Sequence, residues 1–165
     1  MALLSRGRAT PRAELMQAYL DAWNSHNPDR VTDFFALEGV YDDHGAGVVA
    51  RGRVEIRAHI DSVMSAFPDL EFELVRAMNG DDSIGGEWAA TMTHAGEFDG
   101  LRPTGRRIQS AGIDLAVIDE SGKVGHLVSY YDGAAIMREL GLLPQRGSRL
   151  ERGMLRAASV LPRRS

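Results

Sequence analysis

The clearest candidate for chemistry in this sequence is Asp114, which lies in the otherwise apolar run Ala111-Gly-Ile-Asp-Leu-Ala-Val-Ile118. A lone carboxylate in such a run must be paired, hydrogen-bonded or neutral, because burying an unpaired charge costs free energy. Burial also raises the pKa of a carboxyl group, so a buried aspartate can donate a proton near neutral pH. The alternative is that Asp114 faces solvent or bonds structural groups. We favour the functional interpretation.

Three other aspartates have more ordinary alternatives. Asp42 and Asp43 are adjacent, so on a strand one can enter a pocket while the other meets water. The alternative for both is turn chemistry, since glycines follow closely. Asp132 lies between the last predicted strand and a helical segment, where aspartate is a good helix N-cap. From the residues alone, the cap is the better interpretation of Asp132.

Aromatic and histidine side chains are candidates for a pocket around these carboxylates. Tyr19 lies on the apolar face of the first helix and can bring a buried hydroxyl to a pocket, although core packing is commoner. Trp88 and His94 share one face of a strand, as pocket wall or as sheet packing. His44 and His126 have the right pKa range for acid–base work, and either can equally lie on the surface.

Composition and motifs exclude several function classes. The net charge of -4 predicts neither a nucleic-acid partner nor an anionic membrane partner. The sequence has no cysteine, which excludes disulfides and thiolate chemistry and favours a cytoplasmic location. The histidines lack metal-ligand spacing, and no dinucleotide or phosphate-binding fingerprint occurs, so we predict no metal and no cofactor. No segment approaches the ~20 apolar residues of a membrane span.

The order of the predicted elements indicates an α+β domain. Hydroxyl or amide caps followed by proline start helices at Thr10-Pro11 and Asn27-Pro28, the second including Phe34 and Phe35. A third helix runs from about Arg53 to Pro68. Strands are predicted over residues 39–43, 70–74, 83–95, 107–118 and 124–131. Helices followed by consecutive strands predict an antiparallel sheet curled over the helices.

The chain divides into an extension (1–10), a domain (11–144) and an arginine-rich tail (145–165). The tail holds six arginines against one acid, Glu151. Leu150, Met154, Ala158 and Leu161 would share one face of a short helix. The tail is either frayed or a helix docked on a neighbouring subunit. Binding to an anionic surface is less favoured, because the tail is short and its apolar face is narrow.

Several phrases along residues 11–144 together resemble one family. They are Tyr19-Leu-Asp-Ala-Trp-Asn24, Gly39-Val-Tyr-Asp-Asp43, Arg51-Gly-Arg-Val-Glu-Ile-Arg57, Ala66-Phe-Pro-Asp69, Pro103-Thr-Gly105, Tyr130-Tyr-Asp132 and Leu140-Gly-Leu-Leu-Pro144. The chain thus resembles the SnoaL-like polyketide cyclases of the nuclear transport factor 2-like superfamily. The resemblance implies a cone-shaped α+β barrel, with three N-terminal helices in a strongly curved mixed or antiparallel sheet around a deep apolar pocket. It also implies a homodimer or higher homo-oligomer.

The resemblance implies site residues as well. In the cyclases an aspartate drives an aldol ring closure without metal or cofactor, and Asp132 matches its position. The chain is also similar to ketosteroid isomerase, whose helix-one tyrosine, base aspartate and protonated aspartate match Tyr19, Asp42 and Asp114. A third relative, limonene epoxide hydrolase, has an arginine and an aspartate where this chain has Trp88-Ala-Ala90. That departure argues against epoxide opening by its mechanism.

The leading hypothesis is a cofactor-independent enolisation or aldol-type cyclase or isomerase acting on an apolar polyketide- or steroid-like carbonyl compound. Asp132 or Asp42 would be the base, and Tyr19 and Asp114 would donate to the developing oxyanion. The residues predicted to line the substrate pocket are Trp23, Tyr41, Trp88, His94 and Tyr130. The alternative is a non-catalytic small-molecule-binding or interaction domain, because this fold hosts both.

Overall fold

The computed structural model describes residues 11–98 and 100–160, without the side chains of residues 11–13 and 160. Within those ranges two helices, a pair of strands and a third helix precede a run of four consecutive strands, which confirms the predicted α+β class. The elements are α1 (Pro11–Asn24), α2 (Pro28–Thr32), β1 (Phe35–Asp43), β2 (Val48–Arg51), α3 (Gly52–Ala66), β3 (Glu71–Asn79), β4 (Ser83–Thr93), β5 (Arg107–Ile118), β6 (Val124–Tyr131), α4 (Gly133–Glu139) and α5 (Arg149–Val160).

Local sequence signals explain where the helices begin and end. The Asn27 side chain accepts hydrogen bonds from two backbone N–H groups in the first turn of α2, as its cap-and-proline pair predicts. Helix α3 ends at Ala66, two residues before Pro68, which cannot continue a helix. Thr10, the predicted cap of α1, lies outside the described residues.

One mixed sheet holds all six strands in the order β2-β1-β6-β5-β4-β3. Neighbouring strands run antiparallel except β1 and β6, which run parallel. The sheet curls around the helices without closing into a barrel. Helix α1 packs against β3 and β4, and α3 packs against β1 and β2. The predicted curved sheet around N-terminal helices is therefore confirmed.

The core fills the space between the helices and the concave face of the sheet. Ile56, Ile60 and Met64 recur every four residues along α3, and all three are buried. Phe35 at the start of β1 is fully buried as well. Apolar residues at this spacing give a helix one continuous inward face, which fixes how α3 lies on the sheet.

One local prediction is wrong. Phe34 and Phe35 do not belong to the second helix, because α2 ends at Thr32 and Phe35 begins β1. Their apolar spacing fits a helix equally well, but Phe35 pairs with β6 and is buried in the core, which favours a strand.

Strand β2 was not predicted from the sequence. It pairs with β1 across the glycine-containing turn 44–47 and forms a hairpin.

Helix α5 forms part of the arginine-rich tail. Leu150, Met154 and Leu155 on this helix are exposed, so its apolar side chains lie outside the core. Among the described residues, no helix is long and apolar enough to span a membrane.

Replacing Ile60 by alanine tests the inward face of α3. We expect Ile60→Ala to lower the free energy of unfolding by about 2–5 kcal/mol, because it removes fully buried methyl and methylene groups. Val54 on the same helix is 84% exposed, and Val54→Ala should change the value by no more than about 0.5 kcal/mol. Urea unfolding measures both, and equal losses would contradict this packing.

Candidate active site

Two carboxylates and one hydroxyl lie in a single row across the concave face of the sheet. Asp43 on β1 pairs in register with Ser129 on β6, and Ser129 pairs in register with Asp114 on β5. All three side chains are buried and line the same cavity. Because neighbouring strands lie about 4.8 Å apart, the two aspartate backbones are about 10 Å apart. This is a spacing at which a small molecule can contact both carboxyl groups.

Asp114 is 4% exposed and is held by two side-chain hydrogen bonds. Its Oδ1 accepts from Trp88 Nε1 at 2.9 Å and from Ser129 Oγ at 2.6 Å. No described residue donates to Oδ2, which leaves that atom available for a proton or a ligand. Burial raises the pKa of Asp114 to about 6, against the lowering effect of the two hydrogen bonds. The nearby charge of Asp43 adds to the rise.

A glycine on β5 allows Trp88 to reach Asp114. Gly112 pairs in register with Trp88 and lies two residues before Asp114, on the same face of the strand. A Cβ atom built on Gly112 would lie 2.5 Å from the Trp88 indole and 2.5 Å from the backbone oxygen of Tyr130. The missing side chain thus lets the indole lie across β5, with its N–H directed at the carboxylate.

Asp43 forms a buried pair with His59 of α3. The distance from Asp43 Oδ2 to His59 Nε2 is 3.0 Å, and both side chains are less than a tenth exposed. Asp43 Oδ1 accepts the backbone N–H of Ala46 at 2.9 Å, and the rings of His59 and Tyr41 pack in a T-shaped arrangement. Both carboxylate oxygens are therefore held, and the side chain has a fixed orientation toward the cavity.

Apolar and aromatic side chains form most of the cavity wall. Its volume is about 90 Å³, room for several water molecules. Tyr131 supplies a hydroxyl at the same end as Asp43, and burial together with the Asp43 charge raises the pKa of this phenol. The lining residues include Trp23, Tyr41, Val63, Phe67, Leu70, Phe72, Trp88, Ala90, Met92, Phe98, Ile136, Met137 and Leu140. The last three come from α4 and its end, which cover one side of the cavity.

Four of the predicted site residues line this cavity, namely Trp23, Tyr41, Trp88 and Asp114. Tyr19 is buried next to them but does not line it, and its ring packs edge-on against Phe34. The Tyr19 hydroxyl has no hydrogen-bond partner among the described residues. Burial, and next the charge of Asp114, raise its pKa.

The placement predicted for Asp42 is corrected by one residue. Asp42 lies on the convex face of the sheet, where its carboxylate is 3.4 Å from His44 Nε2. Asp43 faces the cavity in its place. The physical reason is strand alternation, since adjacent residues point to opposite faces and the register of β1 puts Asp43 inward.

Three other predicted residues lie away from the cavity. Asp132 is exposed, and its carboxylate accepts the N–H of Ala135 as the N-cap of α4. Tyr130 lies on the convex face and stacks on His44, while its neighbour Tyr131 takes the inward place. His94 is fully buried outside the cavity wall, where its Nδ1 accepts the N–H of Thr104.

Sequence reasoning missed His59, Ser129 and Tyr131. His59 follows Ile56 by three residues, so helical spacing could have placed it near the inward face of α3. Its pairing with Asp43, sixteen residues away, depends on how α3 packs against β1. Among the described residues, no group of three or more histidine, aspartate or glutamate side chains could hold a metal ion.

The raised pKa of Asp114 predicts a specific pH dependence of stability. The folded protein binds this proton more tightly than the unfolded chain, so the stabilisation is full below pH 3.8 and is lost as the pH rises through about 6. At about 1.4 kcal/mol per pKa unit, the loss is about 3 kcal/mol. Urea unfolding of wild type and Asp114→Asn from below pH 3.8 to above pH 6 should show this fall in the wild type alone.

The difference in the free energy of unfolding between wild type and Asp114→Asn isolates the contribution of Asp114. Hydrogen bonds lower the pKa values of Asp29, Asp69 and Asp119, which add stability as the pH rises. They act equally in both proteins and cancel in the difference. A constant difference across this pH range would contradict the assignment.

Comparison with known proteins identifies the family of this fold. Residues 13–140 match the family model for SnoaL-like polyketide cyclase. Among curated proteins, none matches the sequence significantly.

Solved structures share the fold at low sequence identity. TsrD from Streptomyces laurentii is 25% identical, with a TM-score of 0.70 over 82% of this chain and 100% of that chain. A hypothetical protein with ketosteroid isomerase-like fold from Catenulispora acidiphila, in complex with trimethylamine, is 20% identical, with a TM-score of 0.68 over 82% and 96%. SalBIII, an epoxide hydrolase/cyclase-like enzyme in pyran ring formation in the polyether salinomycin, is 22% identical, with a TM-score of 0.62 over 73% and 89%. With a family match over most of its length, this chain belongs to the SnoaL-like polyketide cyclase family.

Proposed function

We propose that this protein is a cofactor-independent acid–base enzyme that enolises an apolar polyketide- or steroid-like carbonyl compound, as the first step of ring closure or double-bond isomerisation. One observation carries the proposal. Asp43 and Asp114 lie in one row at the same apolar cavity but in different surroundings. Two carboxyl groups in contrasting environments at one site are a common basis for dividing acid and base roles.

In this proposal Asp43 is the base. One of its oxygens accepts the backbone N–H of Ala46 and the other lies 3.0 Å from His59 Nε2, so the direction of the carboxylate is fixed. His59 is a positioning residue, because it acts on the substrate only through Asp43. Asp43 thereby takes the role that the sequence suggested for Asp42 or Asp132, neither of which reaches the cavity.

Asp114 is the proton donor. Its pKa of about 6 means that about a tenth of the molecules carry this proton at pH 7 and about half at pH 6. An apolar substrate that displaces water from the cavity would favour the neutral form further. Oδ1 is held by Trp88 and Ser129, so the proton on Oδ2 faces the ligand. Tyr131 can add a second donor at the Asp43 end of the cavity.

The chemistry needs only protons and electron pairs of the substrate and these side chains. The Asp43 carboxylate removes a proton from the carbon beside the carbonyl, and the electron pair of that C–H bond forms the C=C bond of an enolate. The carbonyl pair moves to oxygen, where the neutral Asp114 carboxyl donates its proton. For ring closure, the α-carbon bonds to a second carbonyl carbon of the same molecule as Asp114 regains its proton, and the new alkoxide takes the proton held by Asp43. For isomerisation, Asp43 returns its proton to a different carbon of the enol system, the C=O bond re-forms, and Asp114 regains its proton from the oxygen.

Deuterium exchange tests the enolisation step without knowledge of the natural substrate. In D2O, the wild type should speed incorporation of deuterium beside the carbonyl of β-tetralone or androstenedione, followed by mass spectrometry. Asp43→Asn should lower the rate about 10²–10⁴-fold, the usual worth of a general base. With wild type, kcat/KM should fall as the pH rises through about 6, because Asp114 loses its proton. Asp114→Asn should be slower and lack that fall.

Asp42→Asn and Asp132→Asn are the matched controls, since both carboxylates lie outside the cavity. They should exchange deuterium at close to the wild-type rate. Loss of exchange in Asp132→Asn, with full activity in Asp43→Asn, would overturn the assignment of the base. If none of the proteins exchanges deuterium while both ketones quench the fluorescence of Trp23 and Trp88, the alternative of a non-catalytic binding domain is supported instead.

A further inference from the structure

We propose that helix α5 of one protein copy packs into an apolar groove on the convex face of the sheet of a second copy. The juxtaposition that carries this inference is an amphipathic helix with exposed apolar side chains and a groove with exposed apolar side chains, with opposite charges beside them. The proposal is independent of the catalytic one, because the groove lies on the opposite side of the sheet from the cavity.

The groove owes its shape to a glycine between two long side chains. Leu115, Gly85 and Met78 pair in register across β5, β4 and β3. A Cβ on Gly85 would lie 3.1 Å from Leu115 and 3.3 Å from Met78, so these side chains lean over a floor without a side chain. Val117 and Val128 extend the apolar lining. Leu115, Met78 and Val117 are each more than two-fifths exposed, and a continuous exposed apolar patch commonly marks an interaction site.

Helix α5 presents a matching ridge. Leu150 and Met154 lie four residues apart on one face, with Leu155 beside them, and all three are at least half exposed. An isolated helix of twelve residues is marginal in water, so α5 needs a surface to pack against. Within its own chain the described contacts of the helix are polar and come from its first turns, such as Glu151 with Arg138.

Charges beside the two surfaces are complementary. The β3–β4 and β5–β6 turns meet at one end of the groove, where the Ile118 N–H donates to the Asp82 carbonyl at 2.9 Å. These turns carry the exposed acids Asp81, Asp82, Asp119 and Glu120. Helix α5 carries Arg149, Arg152 and Arg156 against one acid, Glu151. The long arginine side chains can extend along the flanks of the helix toward such a rim.

The cations near the groove do not cancel this complementarity. Arg76 pairs with Glu87 at 3.4 Å. Lys123 lies near Asp119, where its charge helps to lower the pKa of that carboxyl group, so it offsets only one of the four acids. His126 lines the groove itself.

A second copy satisfies both surfaces at once. In a two-fold dimer each chain would give its helix to the partner and receive the partner's helix in its groove, so two equivalent contacts form. A single chain in the arrangement described here leaves Leu115 and Met154 exposed together.

Light scattering coupled to size-exclusion chromatography tests the proposal on the full chain. Wild type should be a dimer. Met154→Glu on the helix and Leu115→Glu in the groove should each raise the dimer dissociation constant by about 100-fold or more, because each places a charge in the apolar contact. Val54→Glu is the control, since Val54 is exposed on α3, away from the groove. Circular dichroism checks that every variant is folded.

Mixing the two variants provides the sharper result. A Met154→Glu chain has an intact groove and a Leu115→Glu chain has an intact helix, so their mixture should regain part of the dimer through one intact contact. If Leu115→Glu is monomeric and Met154→Glu stays dimeric, the sheets pair directly and the proposal is wrong. A monomeric wild type also overturns it, including one whose α5 instead binds phosphatidylglycerol vesicles.

Discussion

The burial of one carboxylate, Asp114, under two hydrogen bonds on a single oxygen is the interaction on which the site depends. Trp88 donates from β4 and Ser129 donates from β6, so the three central strands meet at one atom. The same contacts place the Trp88 indole in the cavity wall and put Ser129 between the two aspartates. The contact between Trp88 and Asp114 requires glycine at position 112, because a side chain there would occupy the position of the indole. The hydrogen bonds that allow Asp114 to be buried therefore also hold a carboxyl group with a raised pKa in an apolar pocket.

Strand alternation divides the rest of the molecule between two faces of the sheet. On β5, Asp114 and Ala116 turn inward, while Ile113, Leu115 and Val117 turn outward and are left exposed. Asp114 from the inward row lines the cavity, while Leu115 and Val117 from the outward row line the groove. A shift of one residue in this strand would exchange the two faces, so the position of the carboxylate and the apolar groove are specified together.

Much of this arrangement could be predicted from the sequence, within limits that have physical causes. Asp114 was recognisable because a charge in an apolar strand must be compensated. Alternation along a strand places Asp42 and Asp43 on opposite faces of the sheet. Only the pairing register of β1 with β6 decides which of the two faces the cavity. For Asp132, the local sequence and the family resemblance gave different predictions. Its family position favoured catalysis, while the cap interpretation from local sequence matches where its carboxylate is bonded. His59 could not be found as a partner of Asp43, because that contact is made only when α3 packs on β1.

The central claim is that Asp114 exchanges a proton near neutral pH. A ¹³C NMR titration of aspartate-labelled protein, with Asp114→Asn to assign the resonance, measures this directly at the carboxyl carbon. The account predicts a titration midpoint near pH 6, the value imposed by burial against the two hydrogen bonds. A midpoint at 3.8, the ordinary value for aspartate, would mean that the carboxylate is ionised throughout and would contradict the account.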